Sequence, residues 1–333
     1  MKLTPRIILG IAATALIIAS IALAIVFTKK DQSYILLTSK ENRFDLNFRV
    51  QKKDQENFQK ILSSLEIPQD VQNGVNFQLD STSSARLNFL APIKASLNLK
   101  DKSVNLSGET SIPMFLYQSS INQVRLPKST NLAIFAPSLE NFVKARLNLP
   151  QNISSWLDKN FSQANGSYLA VYGPNPDYSL LIKKDQISFD DLRNLKDSNG
   201  DAIYKEESSG DIKLHFLQTP STNFQDQQTL TFFQLGTYQV MSSSPAAAKS
   251  LIDAQKSQDY YKFPQESNQK AALLAEFSNS NENTISDQAE SFLLQSWERS
   301  ISSKTKLASS IKRIKFASFA LKEQSFSGLI NLK

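Results

Sequence analysis

The sequence predicts an α+β fold in which an N-terminal transmembrane helix is followed by antiparallel sheets with helices packed on one face. Three observations carry that prediction. An uncharged apolar run opens the chain, period-two alternation of apolar and polar residues dominates the remainder, and stretches with three- and four-residue apolar spacing interrupt the alternation. The expected division is 1–30 as cytoplasmic tail and anchor, 31–125 as a first α+β unit and 126–333 as a second. Whether the second unit is continuous with the first stays open.

The anchor comes first. "IILGIAATALIIASIALAIVF", Ile7 to Phe27, has no charge, proline or amide side chain, and as a helix it reaches about 31 Å, enough for a hydrocarbon core. Its large apolar residues are Ile7, Ile8, Leu9, Leu16, Ile17, Ile18, Ile21, Leu23, Ile25, Val26 and Phe27. Lys2 and Arg6 precede it and Lys29 and Lys30 follow, so flanking charge leaves the orientation nearly balanced. A short basic tail ahead of an apolar run is how an exported chain begins, which puts the tail inside and the C-terminal body outside the cytoplasm. The expected location is the cytoplasmic (inner) membrane, spanned once, with the lipid bilayer as partner of the helix. "ALA" at 22–24 would suit a signal peptidase, but the run continues through "IVF" to two lysines, which favours an uncleaved anchor.

Strand and helix signals then alternate. "FDLNFRV" places Phe44, Leu46, Phe48 and Val50 on one face, and Asp54 reads as the N-cap of "QENFQKILSSLEI", with Phe58, Ile61, Leu62 and Leu65 at helical spacing. Alternation resumes at Val75, Phe77 and Leu79 and again at Ala85, Leu87 and Phe89. "NLAIFA" is a short apolar strand before Pro137, Ser138 caps "LENFVKARL", and "ISSWLDKNF" is a second amphipathic helix. "GSYLAVYG" and "DYSLLIK" read as strands, and Ser188 with Asp191 as a capping box opening "FDDLRNL". "AIYKEESSGDIKLHFL" predicts a hairpin turned at Ser209 and Gly210, and "TLTFFQLGTYQVM" two strands around Gly236. "TISDQAESFLLQSWERSI" is the longest helical pattern of the body.

Two phrases recur. "ASLNLKDKS" (95–103) is echoed by "ASFALKEQS" (317–325), each a predicted hairpin with a polar reversal, with Gly328 as the expected bulge or twist of the second. "FRVQKKDQENFQKIL" (48–62) lies over "YQVMSSSPAAAKSLI" (238–252), where Ser244 followed by Pro245 marks a helix start. An internal duplication would make each half run strand, helix, strands and closing hairpin; coincidence among alternating sequences is the other reading.

The candidate chemistry is thin. Cysteine is absent, which excludes disulfides, thiolate nucleophiles and Cys-ligated zinc. The one histidine, His215, sits in a strand pattern. "DSNGD" (197–201) resembles a calcium loop, but Ala202 and Ser208 stand where an EF-hand needs Gly and Glu, so an Asx-rich turn fits better. Asp190 with Asp191 and Glu206 with Glu207 are adjacent, so each pair diverges, which is poor geometry for acid–base work. The net charge of +6 is dispersed, and its densest cluster, Lys312, Arg313 and Lys315, alternates like the solvent face of a strand, which argues against nucleic acid as a partner. The 21 phenylalanines are read mainly as core, with a groove between sheet and helices as the functional alternative.

With "NLAIFA", "YLAVYG", "DYSLLIK" and "YQVMSSSPAAAKSLI" in this order behind an anchor, the chain resembles an uncharacterised family of bacterial membrane-anchored envelope proteins, a DUF3352-like domain of unknown function. The resemblance spans about Asn131 to Gln255. It implies membrane attachment and exposure outside the cytoplasm, and it transfers no catalytic residue. The expected function is therefore non-enzymatic binding or scaffolding in the cell envelope, toward an envelope protein or lipid, with no catalytic residue, metal or cofactor. The alternative is a membrane-tethered carrier of lipid or another hydrophobic ligand.

Overall fold

A computed structural model describes residues 33–40, 43–64, 74–79, 93–100, 102–110, 119–121, 123–136, 139, 151–161, 166–173, 177–183, 188–196, 203–220, 227–265, 269–271, 273–279, 301–302, 313–322 and 325–333. The expected anchor, the alternating stretch at 85–89 and the Asp-rich turn at 197–201 lie outside the described residues. So do the helix expected at 139–147, save Leu139, and the one expected at 284–301, save Ile301. Among the described residues no helix is long and apolar enough to cross a membrane.

In chain order the elements are β1 (Tyr34–Lys40), β2 (Arg43–Arg49), α1 (Gln55–Ser64), β3 (Gly74–Leu79), β4 (Ile93–Lys100), β5 (Ser103–Thr110) and β6 (Ser119–Ile121). Then come β7 (Val124–Leu126), β8 (Thr130–Ala136), α2 (Gln151–Phe161), β9 (Ser167–Tyr172), β10 (Asp177–Lys183), β11 (Tyr204–Ser209) and β12 (Ile212–Pro220). The remainder are β13 (Gln227–Leu235), β14 (Tyr238–Ser242), α3 (Pro245–Lys256), β15 (Tyr261–Phe263), β16 (Gln269–Ala271), β17 (Leu273–Ser278), β18 (Ile301–Ser302), β19 (Ile314–Lys322) and β20 (Ser325–Leu332). Short 3₁₀ turns cover Lys52–Asp54 and Asp190–Asn194. The described residues form two compact units, an inserted one over Ile121–Gln269 and a host unit built from those between Ser33 and Ser120 together with those between Lys270 and Lys333.

The expected α+β class with helices along one sheet face does not hold. The described residues are mostly antiparallel sheet with three short α-helices, and in the inserted unit helices cover both faces. There the strand order is β11-β12-β13-β14-β10-β9-β8, antiparallel throughout. Ser179 pairs with Ser242, so their neighbours Leu180 and Met241 take the opposite face, and Met241 pairs with Phe232. Helix α3 sits on the serine face, where the Tyr172 hydroxyl donates to the Ala247 carbonyl at 2.7 Å. Helix α2 sits on the other, its Trp156 and Phe161 rings 5.3 and 6.0 Å from Phe232. The reason is in the strands themselves. β8 and β9 are buried at every position, continuous apolar runs that need cover on two sides instead of one.

The host unit runs β17-β19-β20-β5-β4-β1-β2-β3-β18. It explains the first echo. Lys100 pairs with Ser103 and Lys322 with Ser325, so the two hairpins close in the same register, and β20 pairs with β5. In the alignment that lays Ala95 on Ala317, Leu106 falls on Gly328, and these two residues pair with each other. The copies are neighbours related by a local two-fold. The chain therefore does not divide into two halves each closed by its own hairpin. Gly328 is not a bulge either. It pairs in unbroken register with Phe319 and Leu106, and a Cβ on it would lie 3.2 and 3.3 Å from their side chains, so glycine makes room for them. The register shift of that hairpin falls between Ile314 and Phe316.

Two capping expectations also change. Asp54 ends the 3₁₀ turn before α1 and accepts a hydrogen bond from Ser33 Oγ at 2.6 Å instead of capping the helix. Helix α1 buries Phe58 and Ile61, as the spacing predicts. Ser188 bonds Asp190, not Asp191, accepting from its backbone N–H and donating to its carboxylate, both at 3.2 Å, which is a local turn and not a capping box. Ser244 does cap α3, its Oγ accepting from Ala247 N at 3.0 Å ahead of Pro245.

Candidate binding groove

The inserted unit carries an open groove of about 470 Å³ on the α3 side of its sheet. Its floor comes from adjacent strands. Leu181 on β10 is buried, and Leu235 and Tyr238, paired across the β13–β14 turn, are half-buried. That turn, Gly236–Thr237, forms one wall, and Gly236 takes φ +58°, a left-handed conformation that glycine adopts without steric cost. The facing wall is Gln123, Val124 and Arg125, held in a ribbon by the pairing of β7 with β15.

Hydrogen bonds fix the wall to α3. Arg125 Nη1 donates to the Gln255 carbonyl at 3.1 Å, in the last turn of α3, where free carbonyls and the helix dipole favour a cation. The Gln255 amide returns the bond, donating to the Arg125 carbonyl at 2.8 Å and to Leu251 O at 3.1 Å. Gln123 Nε2 donates to the carbonyls of Pro264 and Gln265, both at 3.1 Å. Arg125 also lies over the Tyr260 ring, 4.5 Å from its centroid, and Lys262 Nζ stands 5.8 Å from the same ring. Neither cation is joined to a carboxylate among the described residues. Below the floor, Tyr168 packs edge-on against Tyr238 at 5.7 Å and hydrogen-bonds to it; burial raises both phenols above their ordinary pKa, so both stay neutral.

His215 lies elsewhere, on the opposite sheet face near the edge strand β11. It is buried, stacked on Phe189 at 4.4 Å, with Nδ1 2.7 Å from the Tyr204 hydroxyl. Tyr204 also lies 2.6 Å from Glu206 Oε2. A phenol has one proton and the carboxylate is the stronger acceptor, so Tyr204 donates to Glu206 and His215 Nδ1–H donates to Tyr204. Glu206 further binds Arg193 and Lys213, each at 2.8 Å, and these bonds hold its carboxyl far below the usual range. Burial lowers the His215 pKa, outweighing the nearby Glu206. Tyr204, Glu206 and His215 Nδ1 are thus joined in one chain of hydrogen bonds that Arg193 and Lys213 close from outside, which makes the cluster a rivet for the sheet edge.

The remaining sequence candidates separate as their adjacency implies. Asp190 lies 3.7 Å from Arg193, while Asp191 pairs with Lys159 at 2.9 Å. Glu206 faces the histidine cluster, and Glu207 pairs with Lys205. Arg313 and Lys315 are exposed with Ile314 buried between them, a strand's solvent face. Asn160 on α2 is buried and donates to Trp156 O at 2.9 Å. No group of His, Cys, Asp and Glu that could hold a metal occurs among the described residues. Nothing in the sequence singles out Gln123, Arg125, Gln255 or Lys262, because the groove joins segments more than a hundred residues apart.

The fold and groove define an antiparallel β protein with a built recess on an inserted unit. Comparison with protein-family models, curated proteins and solved structures finds no match to this chain.

Proposed function

We propose that the protein is a single-pass, membrane-anchored binding protein of the bacterial cell envelope, non-enzymatic, with its body outside the cytoplasm. The observation that carries the binding role is the groove's lining. Its Gln, Val, Arg, Leu, Gly, Thr and Tyr side chains include no carboxylate or histidine to act as a general base for a nucleophile. An apolar floor beside a few fixed polar groups is what recognition requires. The anchor and envelope location rest on the apolar run at 7–27 and on the family resemblance. A partner is favoured over a carried lipid because the aromatic side chains fill the interior: Phe161, Phe232, Phe233 and Phe263 are fully buried in the inserted unit instead of lining a cavity.

A photo-crosslinking residue in place of the exposed Thr237, in full-length protein in intact bacterial envelopes, tests this reading. A discrete adduct is expected, lost when Leu181 is changed to Arg to fill the floor. Recovery of the protein in the cytoplasmic fraction would overturn the location, and the absence of any adduct would overturn the role of the groove. Lipid co-purifying at fixed stoichiometry would move the reading to the carrier.

A further inference from the structure

We infer that the groove takes an acidic, extended peptide segment, with a carboxylate held by Arg125 and Lys262 at the rim and apolar side chains on Leu181, Leu235 and Tyr238. This rests on the binding role proposed above and names the ligand's chemistry. The wall's unspent groups point to that class. Gln123 and Gln255 each commit both N–H donors to protein carbonyls, so each presents its side-chain carbonyl oxygen, an acceptor. That assignment is fixed chemically, since only the NH₂ end can bond two carbonyls. Two acceptors suit a ligand with N–H donors, which a peptide backbone has and an acyl chain or phosphate diester lacks.

The rim supplies the complementary charge. Arg125 spends one N–H on Gln255 O, leaving donors of its planar fork for a carboxylate. Arg125 and Lys262 are direct partners across β7 and β15, so their side chains leave the same face of the ribbon, and both cations stand near the Tyr260 ring, 4.5 and 5.8 Å from its centroid, with no acidic neighbour paired to either among the described residues. Like charges kept this close are relieved by an anion. Alternation in an extended peptide then places an acidic side chain at the rim and its apolar neighbours over the floor.

Full-length protein in detergent is titrated with a fluorescent octapeptide alternating Glu and Leu, with its Gln-for-Glu counterpart, and with phosphatidylglycerol vesicles as a third probe. Saturable binding of the Glu peptide is expected, about tenfold weaker for the Gln peptide and for Arg125→Gln, and weaker in high salt. Because Arg125 also holds α3, Lys262→Gln is the second variant; it leaves every hydrogen bond of the groove wall in place and is expected to weaken the Glu peptide about threefold. Equal binding of both peptides, indifference to both variants, or vesicle binding in place of peptide binding would overturn the inference. If the Thr237 adduct forms but the Glu peptide does not compete with it, the ligand class is wrong while the groove remains a binding site; if neither is seen, the binding role itself fails.

Discussion

At Gly166 the backbone takes φ +147°, and a Cβ there would lie 2.7 Å from Phe135 Cε2. The Phe135 ring is buried and tilted against Tyr168 at 5.0 Å, so it has little room to yield. Gly166→Ala should therefore destabilise the protein by about 1–3 kcal/mol, strain and overpacking acting together, measured as a fall in the denaturant midpoint; an unchanged midpoint would show that the strand entry adjusts freely. His215 sets a pH dependence whose sign follows from burial. Its folded pKa lies below the unfolded value of about 6.5, so the unfolded chain binds more protons and stability is fully present above that value. It is lost as pH falls through the folded pKa. Glu206 is also depressed, but its contribution is lost only at far more acidic pH, so it does not shape this window. With Trp297→Phe leaving buried Trp156 as the sole tryptophan, the fluorescence-detected midpoint should drop between about pH 7.5 and 5.5, and His215→Gln should flatten that slope. An equal slope in the variant would assign the titration to another group.

Helix α3 is tied to its sheet by a one-way chain of hydroxyls. Tyr172 donates to Ala247 O, so Ser179 must donate to Tyr172 at 2.6 Å and Ser242 to Ser179 at 2.7 Å. Ser244 donates to Asp177 Oδ1 at 2.8 Å while capping the helix. Tyr172→Phe keeps the ring but removes the acceptor of the buried Ser179 hydroxyl and the second donor to the Ala247 carbonyl, which keeps its place in the helix ladder; a loss of about 1–2 kcal/mol in urea unfolding is expected, whereas no loss would mean that water replaces the phenol. Much of this element structure is legible in the sequence. The strands at 74–79, 93–110, 167–183 and 227–242 accord with alternation and turn residues, and Ser244–Pro245 marks its helix correctly. The two-sided packing escapes a reading by alternation, yet "LAIFA" and "SYLAVY", apolar at nearly every position, signal burial on two faces. The hairpin of β11 and β12 turns at Gly210 and Asp211, one residue later than expected, because Ser209 still pairs with Ile212 and glycine supplies the positive φ of +61°. The groove is not legible at all. Arg125 and Gln255 look like ordinary surface residues until folding brings α3 against β7, and a single sequence holds no pattern that spans such a separation.

For the molecule as a whole, the apolar run at 7–27 is the tether proposed to deliver the groove to the envelope. About twenty apolar residues suffice to span a bilayer, while a lysine near the centre of such a helix costs about 2.5–3.5 kcal/mol for insertion. Leu16→Lys with Ile17→Lys should thus abolish membrane retention, whereas the unaltered protein should stay in the pellet through high-salt washing, because hydrophobic insertion is not screened and the net charge of +6 is. Release of the unaltered protein by salt would instead reveal an electrostatic, peripheral attachment. The absence of cysteine makes the orientation directly measurable. Thr237→Cys gives the full-length chain a single thiol at the mouth of the groove, and a membrane-impermeant maleimide should label it in intact spheroplasts as completely as after lysis. Labelling only after lysis would place the groove on the cytoplasmic side. The acidic-peptide partner would then have to be sought inside the cell, and the orientation read from the basic N-terminal tail would be reversed.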